Sequence, residues 1–295
     1  VFMTHRSEVI NDNKFKPYLD HGFVGLIGIF GDDKAIEQAA RMSYGEGTRQ
    51  VSETRGLLRF LLRHEHSSPF EMCDLKFHIK MPIFVMRQFV RHRTASLNEY
   101  SGRYSEMVDE FYLPPTDRIR GQAKDNKQGS SEEVVDGSNA IQRVMETDFR
   151  NCYDHYKAFC DTGVARELAR INLPVSNYTE LVWKCNLRNF MHMLKLRLDK
   201  HAQEEIRVLA QAMYDLAKPH FPLAFEAFED YILNAKSFNS IDRILFKTLF
   251  DSADLDTFYH YVDGLDAADP VFKKLSGVSK REIEEFTEKL RWLVQ

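Results

Sequence analysis

Four guanidiniums within 17 residues mark the stretch of this chain best equipped for chemistry. Arg87 to Arg103 reads RQFVRHRTASLNEYSGR and sets Arg87, Arg91, Arg93 and Arg103 against a single acid, Glu99. Its local charge is about +3, in a chain whose formal net charge is −4. Arginine's planar fork matches phosphate and carboxylate oxygens, and Ser96, Asn98 and Ser101 add short-reach hydrogen bonds. Around Gly102, successive backbone N–H groups can wrap a phosphate. One reading is a site for an anionic ligand held by many hydrogen bonds. The other is a surface salt-bridge cluster, which accounts for Arg87 and Glu99 but not for serines and a glycine interleaved with arginines.

Two further places carry candidate groups. His64 and His66 sit in the loop HEHSSPFE, where a metal site, a polar turn and an active-site wall are all open readings. No third or fourth ligand accompanies them at the usual spacing, which counts against metal. Downstream, Asn186 is a good N-cap for a helix whose apolar stripe is Leu187, Phe190, Met191, Leu194 and Leu198. Arg188, His192, Lys195 and Asp199 fall on the opposite face. Asn186, Arg197 and His201 gather at one margin of the stripe, where Arg197 must either snorkel or meet an anion.

The elements that position these groups follow from periodicity and turn residues. Phe23 to Phe30 reads as a buried strand, and Asp32 or Asp33 can cap a helix carrying Ile36, Ala39, Ala40 and Met42. A helix is expected near Ser52 to Arg63. Asp74 to Lys80 alternates as a half-buried strand does. Pro82 suits the first turn of a helix running to Arg93, on which Phe84, Gln88 and Arg91 share a face. Asn98 to Arg103 is turn chemistry, Glu110 to Leu113 a short strand, and residues 116–137 a polar loop. A long helix from about Ala140 to Thr162 stops at Gly163, a short one covers Val164 to Arg170, and Asn177 to Cys185 is a strand. Helices follow at His201 to Lys218 and Leu223 to Leu233. Residues 234–295 form a helical appendage whose last helix opens with the capping box Ser279-Lys280-Arg281-Glu282 and carries Ile283, Phe286, Leu290 and Leu293.

The totals bound the function. At 295 residues with 43% apolar and 28% charged side chains, the chain is long enough for a substantial core. A pI near 6.3 argues against bulk nucleic-acid binding. No stretch approaches a membrane span, and VFMTHRSEVINDNK lacks the apolar run of a signal peptide, so a cytoplasmic location is expected. Cys73, Cys152, Cys160 and Cys185 show no C-x-x-C spacing and read as reduced, buried thiols.

Arg91 to Arg103 fits R-H-R-x-x-S-x-N-x-x-S-x-R at every fixed position, and on this the chain resembles the flavin-dependent thymidylate synthases. The likeness extends to His64–Glu71, to Ala165–Arg170, and to Asn186-Leu187-Arg188 through Arg197 and His201-Ala202-Gln203. It spans about Phe23 to Leu233, leaving 1–22 as a lead and 234–295 unexplained. The resemblance implies an α+β fold, helices packed on a small, mostly antiparallel sheet, assembled as a homotetramer with FAD at shared sites. It implies methylation of dUMP to dTMP, with 5,10-methylenetetrahydrofolate as carbon donor and NADPH as reductant. By matching positions, Gln88, Arg91, Ser101, Gly102, Arg103 and Arg170 would hold dUMP, with Glu99 and Tyr100 lining that pocket. Ser68, Arg91, His92, Arg93, Glu99, Asn186, Arg188 and His192 would contact FAD. Arg197 would lie against the uracil ring, and His66 near flavin and folate. Ser101 is expected to bind phosphate rather than act as a nucleophile, since no neighbouring base activates it. Met72 and His192 depart from residues found in some relatives.

Two other classes remain to weigh. The unrelated cysteine-dependent thymidylate synthases present their thiol after proline, and none of the four cysteines here follows one. A non-catalytic RNA or nucleotide binder could stack bases on Tyr100 and Tyr104 beside the arginines, but the net charge of −4 weighs against it.

Overall fold

The computed structural model describes residues 6–9, 11–42, 53–124, 129–241, 244, 257 and 280–294. Two compact units divide between Leu233 and Asn234. The first is built on five strands: β1 (Phe15–Tyr18), β2 (Gly22–Phe30), β3 (Asp74–Pro82), β4 (Ser96–Glu99) and β7 (Tyr178–Asn186), in the order β1-β2-β3-β7-β4. Every neighbouring pair is antiparallel. A separate hairpin joins β5 (Arg120–Gln122) to β6 (Ser130–Val134). The helices of seven or more residues described in this unit are α1 (Asp33–Arg41), α2 (Thr54–Arg63), α3 (Ile83–Phe89), α4 (Ser138–Asp161), α5 (Leu187–Arg197), α6 (Glu204–Ala217) and α7 (Pro222–Phe228), with single turns at Arg6–Val9, Ser68–Glu71 and Arg166–Ala169.

Alternation in β3 sends Leu75, Phe77, Ile79 and Met81 into the core, all fully buried, while Lys76 faces out. β7 matches it with Leu181, Trp183 and Cys185. Against these pack Phe190, Met191 and Leu194 of α5, Leu209 and Met213 of α6, and Phe225 and Phe228 of α7. Met193 is buried as well, so the apolar side of α5 is broader than a single stripe. Asp32 caps α1 by accepting from the Ala35 amide, and the Asp33 carboxylate reaches across the fold to accept from the Leu223 and Ala224 amides of α7, at 2.8 and 3.0 Å.

The structure corrects several expectations. The helix after Pro82 ends at Phe89 rather than Arg93. Its last turn tightens, with the His92 amide donating to the Phe89 carbonyl, because the chain must turn and extend into β4. Arg91 therefore lies past the helix and shares no face with Gln88. Residues 96–99 are a strand, not part of a turn, because the free edge of β7 offers backbone groups that pair with even this polar sequence. Glu110 to Leu113 forms only a single bridge, Phe111 to Asn177. The polar segment 116–137 holds a 3₁₀ turn at Thr116–Arg118 and the β5–β6 hairpin. His201 sits in the loop beyond α5, not on its margin, and both its amide and its Nδ1 bond Asp199 at 2.8 Å. The helix expected from His201 begins only at Glu204.

Lys80 breaks the alternation of β3 in a different way. It points to the outer face, yet is fully buried and ion-paired with Glu110. The segment leading to Phe111 covers that end of the sheet, fastened by Asn177, whose Nδ2 donates to the carbonyls of Val108 and Glu110 at 3.0 Å each. In the second unit, α8 (Lys280–Val294) buries Ile283 and exposes Phe286. Ser279, the first residue of the expected capping box, lies outside the described residues.

Candidate active site

Arg197 closes α5 and is half-buried. Its Nε donates to Nε2 of His92 at 3.0 Å, and its Nη2 to the Gln88 carbonyl at 3.3 Å. Neither partner carries negative charge, so the guanidinium neither snorkels to solvent alone nor meets an anion among the described residues. Burial lowers its affinity for the proton. An arginine donor fixes the tautomer of His92: Nε2 must be the lone pair, leaving the proton on Nδ1. Burial, then the positive Arg197 and then His192, press the His92 pKa down to about 4. The Gln88 side chain in turn donates to Oε1 of Gln203, at the start of α6.

A second set lies beyond β4. Ser101 accepts at its backbone carbonyl from the amides of Tyr104 and Ser105, 3.1 Å each, and its Oγ accepts from the Arg103 amide at 3.4 Å. Among the described residues Ser101 Oγ meets no histidine or carboxylate that would activate it. Gly102 is buried against Arg170: a Cβ there would lie 3.2 Å from the Arg170 Cδ and 2.8 Å from the Met107 sulfur. Arg103 is exposed, 3.4 Å from Glu167. Helix α4 steadies this segment, with Tyr156 OH accepting from the Met107 amide at 2.8 Å and Tyr153 OH donating to its carbonyl at 3.2 Å. Tyr100 OH bonds the Glu106 carbonyl at 2.7 Å. Among the described residues, no hydrogen bond or ion pair links the Arg197 set to the Arg170 set.

The third set surrounds α2. His64 and His66 both pack on Phe60, with ring centroids 4.4 and 5.7 Å away. His66 borders two cavities. One, of about 410 Å³, also takes in Ser68 and Met72; the other, of about 170 Å³, takes in Arg188 and His192. Asn186 serves as the N-cap of α5, accepting from the Asn189 amide at 2.9 Å. Glu99, on the edge strand, accepts from Thr179 Oγ1 at 2.7 Å, a partner the sequence did not single out. Arg87, Arg91 and Arg93 are exposed, Arg170 and Arg188 half-buried, and none of the five pairs with a carboxylate among the described residues. So many uncompensated guanidiniums favour bound anions over a salt-bridge cluster.

Arg188 and His192 thus open to the His66 side while Arg197 turns to Gln88, and His92 feels both Arg197 and His192. The residues missed at the level of sequence are Thr179, Tyr153 and Tyr156. The tyrosines at i and i+3 on α4 are the one signal that could have marked an anchor there.

Comparison with known proteins bears directly on this geometry. The family model described as "Thymidylate synthase complementing protein" matches residues 26–223. The flavin-dependent thymidylate synthase of Rickettsia bellii (strain RML369-C) is 44% identical over 287 residues, covering 92% of each chain. That of Wolbachia pipientis wMel is 50% identical over 218 residues, 74% of this chain and 77% of the relative. Among solved structures, the UMP/dUMP methylase PolB from Streptomyces cacaoi, bound with 5-Br dUMP, is 34% identical with a TM-score of 0.66, covering 73% of this chain and 97% of that one. The matched span takes in α1 to α6 and with them all three residue sets, and the chain belongs to the flavin-dependent thymidylate synthase family.

Proposed function

We propose that this chain methylates dUMP to dTMP, taking the carbon from 5,10-methylenetetrahydrofolate and electrons from NADPH through bound FAD. The observation that carries the reading is Arg197, a half-buried guanidinium aimed by His92 and Gln88 with no carboxylate of its own. C5 of uracil is a weak nucleophile until negative charge builds on the ring. A cation fixed beside the ring oxygens and nitrogens favours that charge, and preorganised groups of this kind contribute about 3 kcal/mol.

The donors fit a flavin dinucleotide: Arg91, Arg93 and Arg188 lack counter-charges among the described residues and would hold its phosphates. Ser68, His92, Glu99, Asn186 and His192 complete that set. When bound, the flavin relays reducing equivalents from NADPH to the transferred carbon. Ser101, Gly102, Arg103 and Arg170 bind the phosphate of dUMP, with Arg91, Glu99 and Tyr100 beside them, while Gln88 and Arg197 hold the nucleobase end. His66 borders the flavin and folate. Arg197 and His66 are the groups placed nearest the reaction.

Arg188 and His192 open to the His66 side of α5 and Arg197 to Gln88, so one helix can serve two pockets, which supports sites shared between subunits of a homotetramer. The four cysteines form no disulfide, as suits the cytoplasm, and among the described residues no helix is long and apolar enough to cross a membrane. No nucleic acid, membrane or metal belongs to this reading. The test is to record flavin absorbance on NADPH addition, with and without dUMP, and to assay dTMP. Arg197→Ala should keep FAD and lose about 100-fold or more in turnover. Full activity in that variant would remove Arg197 from the mechanism.

A further inference from the structure

A cavity of about 610 Å³ touches the residue sets described above only at Gln203, walled on one side by the β5–β6 hairpin and on the other by the loop into α6. Its charged lining is uneven in a useful way. Glu204 pairs with Arg118 and stands 3.6 Å from Arg207, and Glu205 accepts from Tyr112 OH at 3.2 Å and Gln203 Nε2 at 2.8 Å. Those two carboxylates are committed, leaving Glu132 exposed at the rim. Two cations are not. Among the described residues Arg120 spends only its Nε, on the Asp117 carbonyl at 2.8 Å, and both terminal nitrogens face no partner there. Lys200 makes no ion pair among the described residues. Ser130 and Ser131 add hydroxyls.

The cavity also has an address. Gln203 lines it and accepts from Gln88, whose carbonyl holds Arg197. One hydrogen-bonded pair, Gln88 and Gln203, thus stands between Arg197 and the lining of this cavity. The cavity's volume is in the range of small-molecule sites.

We propose that this cavity binds the oxyanions of a co-substrate's tail, through Arg120, Lys200 and the Ser130 and Ser131 hydroxyls. The inference rests on the function proposed above, which supplies two carriers of that chemistry: the 2′-phosphate of NADPH and the glutamyl carboxylates of the folate. Charge-assisted bonds from a guanidinium fork and an ammonium serve either.

The experiment is titration calorimetry on the flavin-loaded protein at low salt, with 2′,5′-ADP as the phosphate probe and p-aminobenzoyl-polyglutamate as the carboxylate probe. One of them should bind, with affinity falling as salt rises. Arg120→Gln and Lys200→Gln should each weaken it by about tenfold and raise KM for the parent co-substrate, leaving KM for dUMP unchanged. Lys200 is exposed, so its variant keeps the test decisive even if Arg120→Gln disturbs the hairpin. Binding of neither probe, or equal binding by wild type and the Lys200 variant, overturns the inference. A parallel dTMP assay separates the two claims. Protein that makes dTMP but ignores both probes loses only the cavity assignment, and protein that makes no dTMP loses the enzymatic reading itself.

Discussion

The Nε of Arg197 donates to Nε2 of His92 across 3.0 Å, so the orientation of one cation depends on a second base remaining neutral. With the His92 pKa near 4 against about 6.5 for an unconstrained imidazole, the folded protein binds fewer protons than the unfolded chain between those values. Stability contributed by this group is therefore complete above about pH 6.5 and is lost progressively as pH falls toward 4. Urea midpoints measured across that window should fall on the acid side, and His92→Gln should flatten the slope. His92→Leu should lower kcat by roughly 10-fold or more by freeing Arg197, since hydrogen bonds to charged groups are worth about 1.5–3 kcal/mol. His92→Gln, which keeps an acceptor, should recover part of it.

Gly102 has no room for a side chain. Adding a methyl places it 2.8 Å from the Met107 sulfur and 3.2 Å from the Arg170 side chain, so one of them must move. Gly102→Ala should raise KM for dUMP by roughly tenfold through displaced Arg170, with kcat much less changed, because binding common to ground and transition states is what is lost. Steady-state kinetics at saturating co-substrates would read it directly.

Lys80 is fully buried against Glu110, whose side chain is 15% exposed. Lys80→Met removes one member of this buried ion pair and should cost about 3–5 kcal/mol in chemical denaturation. Adding Glu110→Leu should recover much of the loss, since an apolar pair avoids the cost of desolvating charge. A double variant no more stable than the single one would place the cost in packing instead.

Asp33 offers both carboxylate oxygens to the first amides of α7. Burial raises its pKa, yet the helix end it satisfies has no side-chain cap of its own. Asp33→Ala should destabilise by about 1–2 kcal/mol, the usual worth of a cap, with Asp33→Asn retaining part. Thermal or urea unfolding measures the difference.

The sequence disclosed those features whose cause is local. Asn186 caps α5 because its own side chain reaches the Asn189 amide, and Gly163 stops α4 because its φ of +88° suits glycine alone. β3 was legible from alternation and β7 from its strand-like composition. What stayed hidden depends on partners distant in the chain. Residues 96–99 pair because β7 has a free edge, not because SLNE favours a strand, and the motif's arginines gave no hint of it. Likewise the burial of Lys80 goes with an ion pair to Glu110, distant in the chain, and the hairpin within 116–137 has no apolar stripe to announce it. The candidate site was readable as chemistry, residue by residue. Its division into an Arg197 set and an Arg170 set was not, since spacing along the motif says nothing of which way each side chain turns.

The clasp between Asp33 and Leu223 spans 190 positions of chain. During synthesis the early segment must therefore wait for nearly the whole catalytic unit to leave the ribosome before that contact can close. Until then α1 emerges with a carboxylate facing no amide. A chain cut short of α7 would lack the amides that close this clasp.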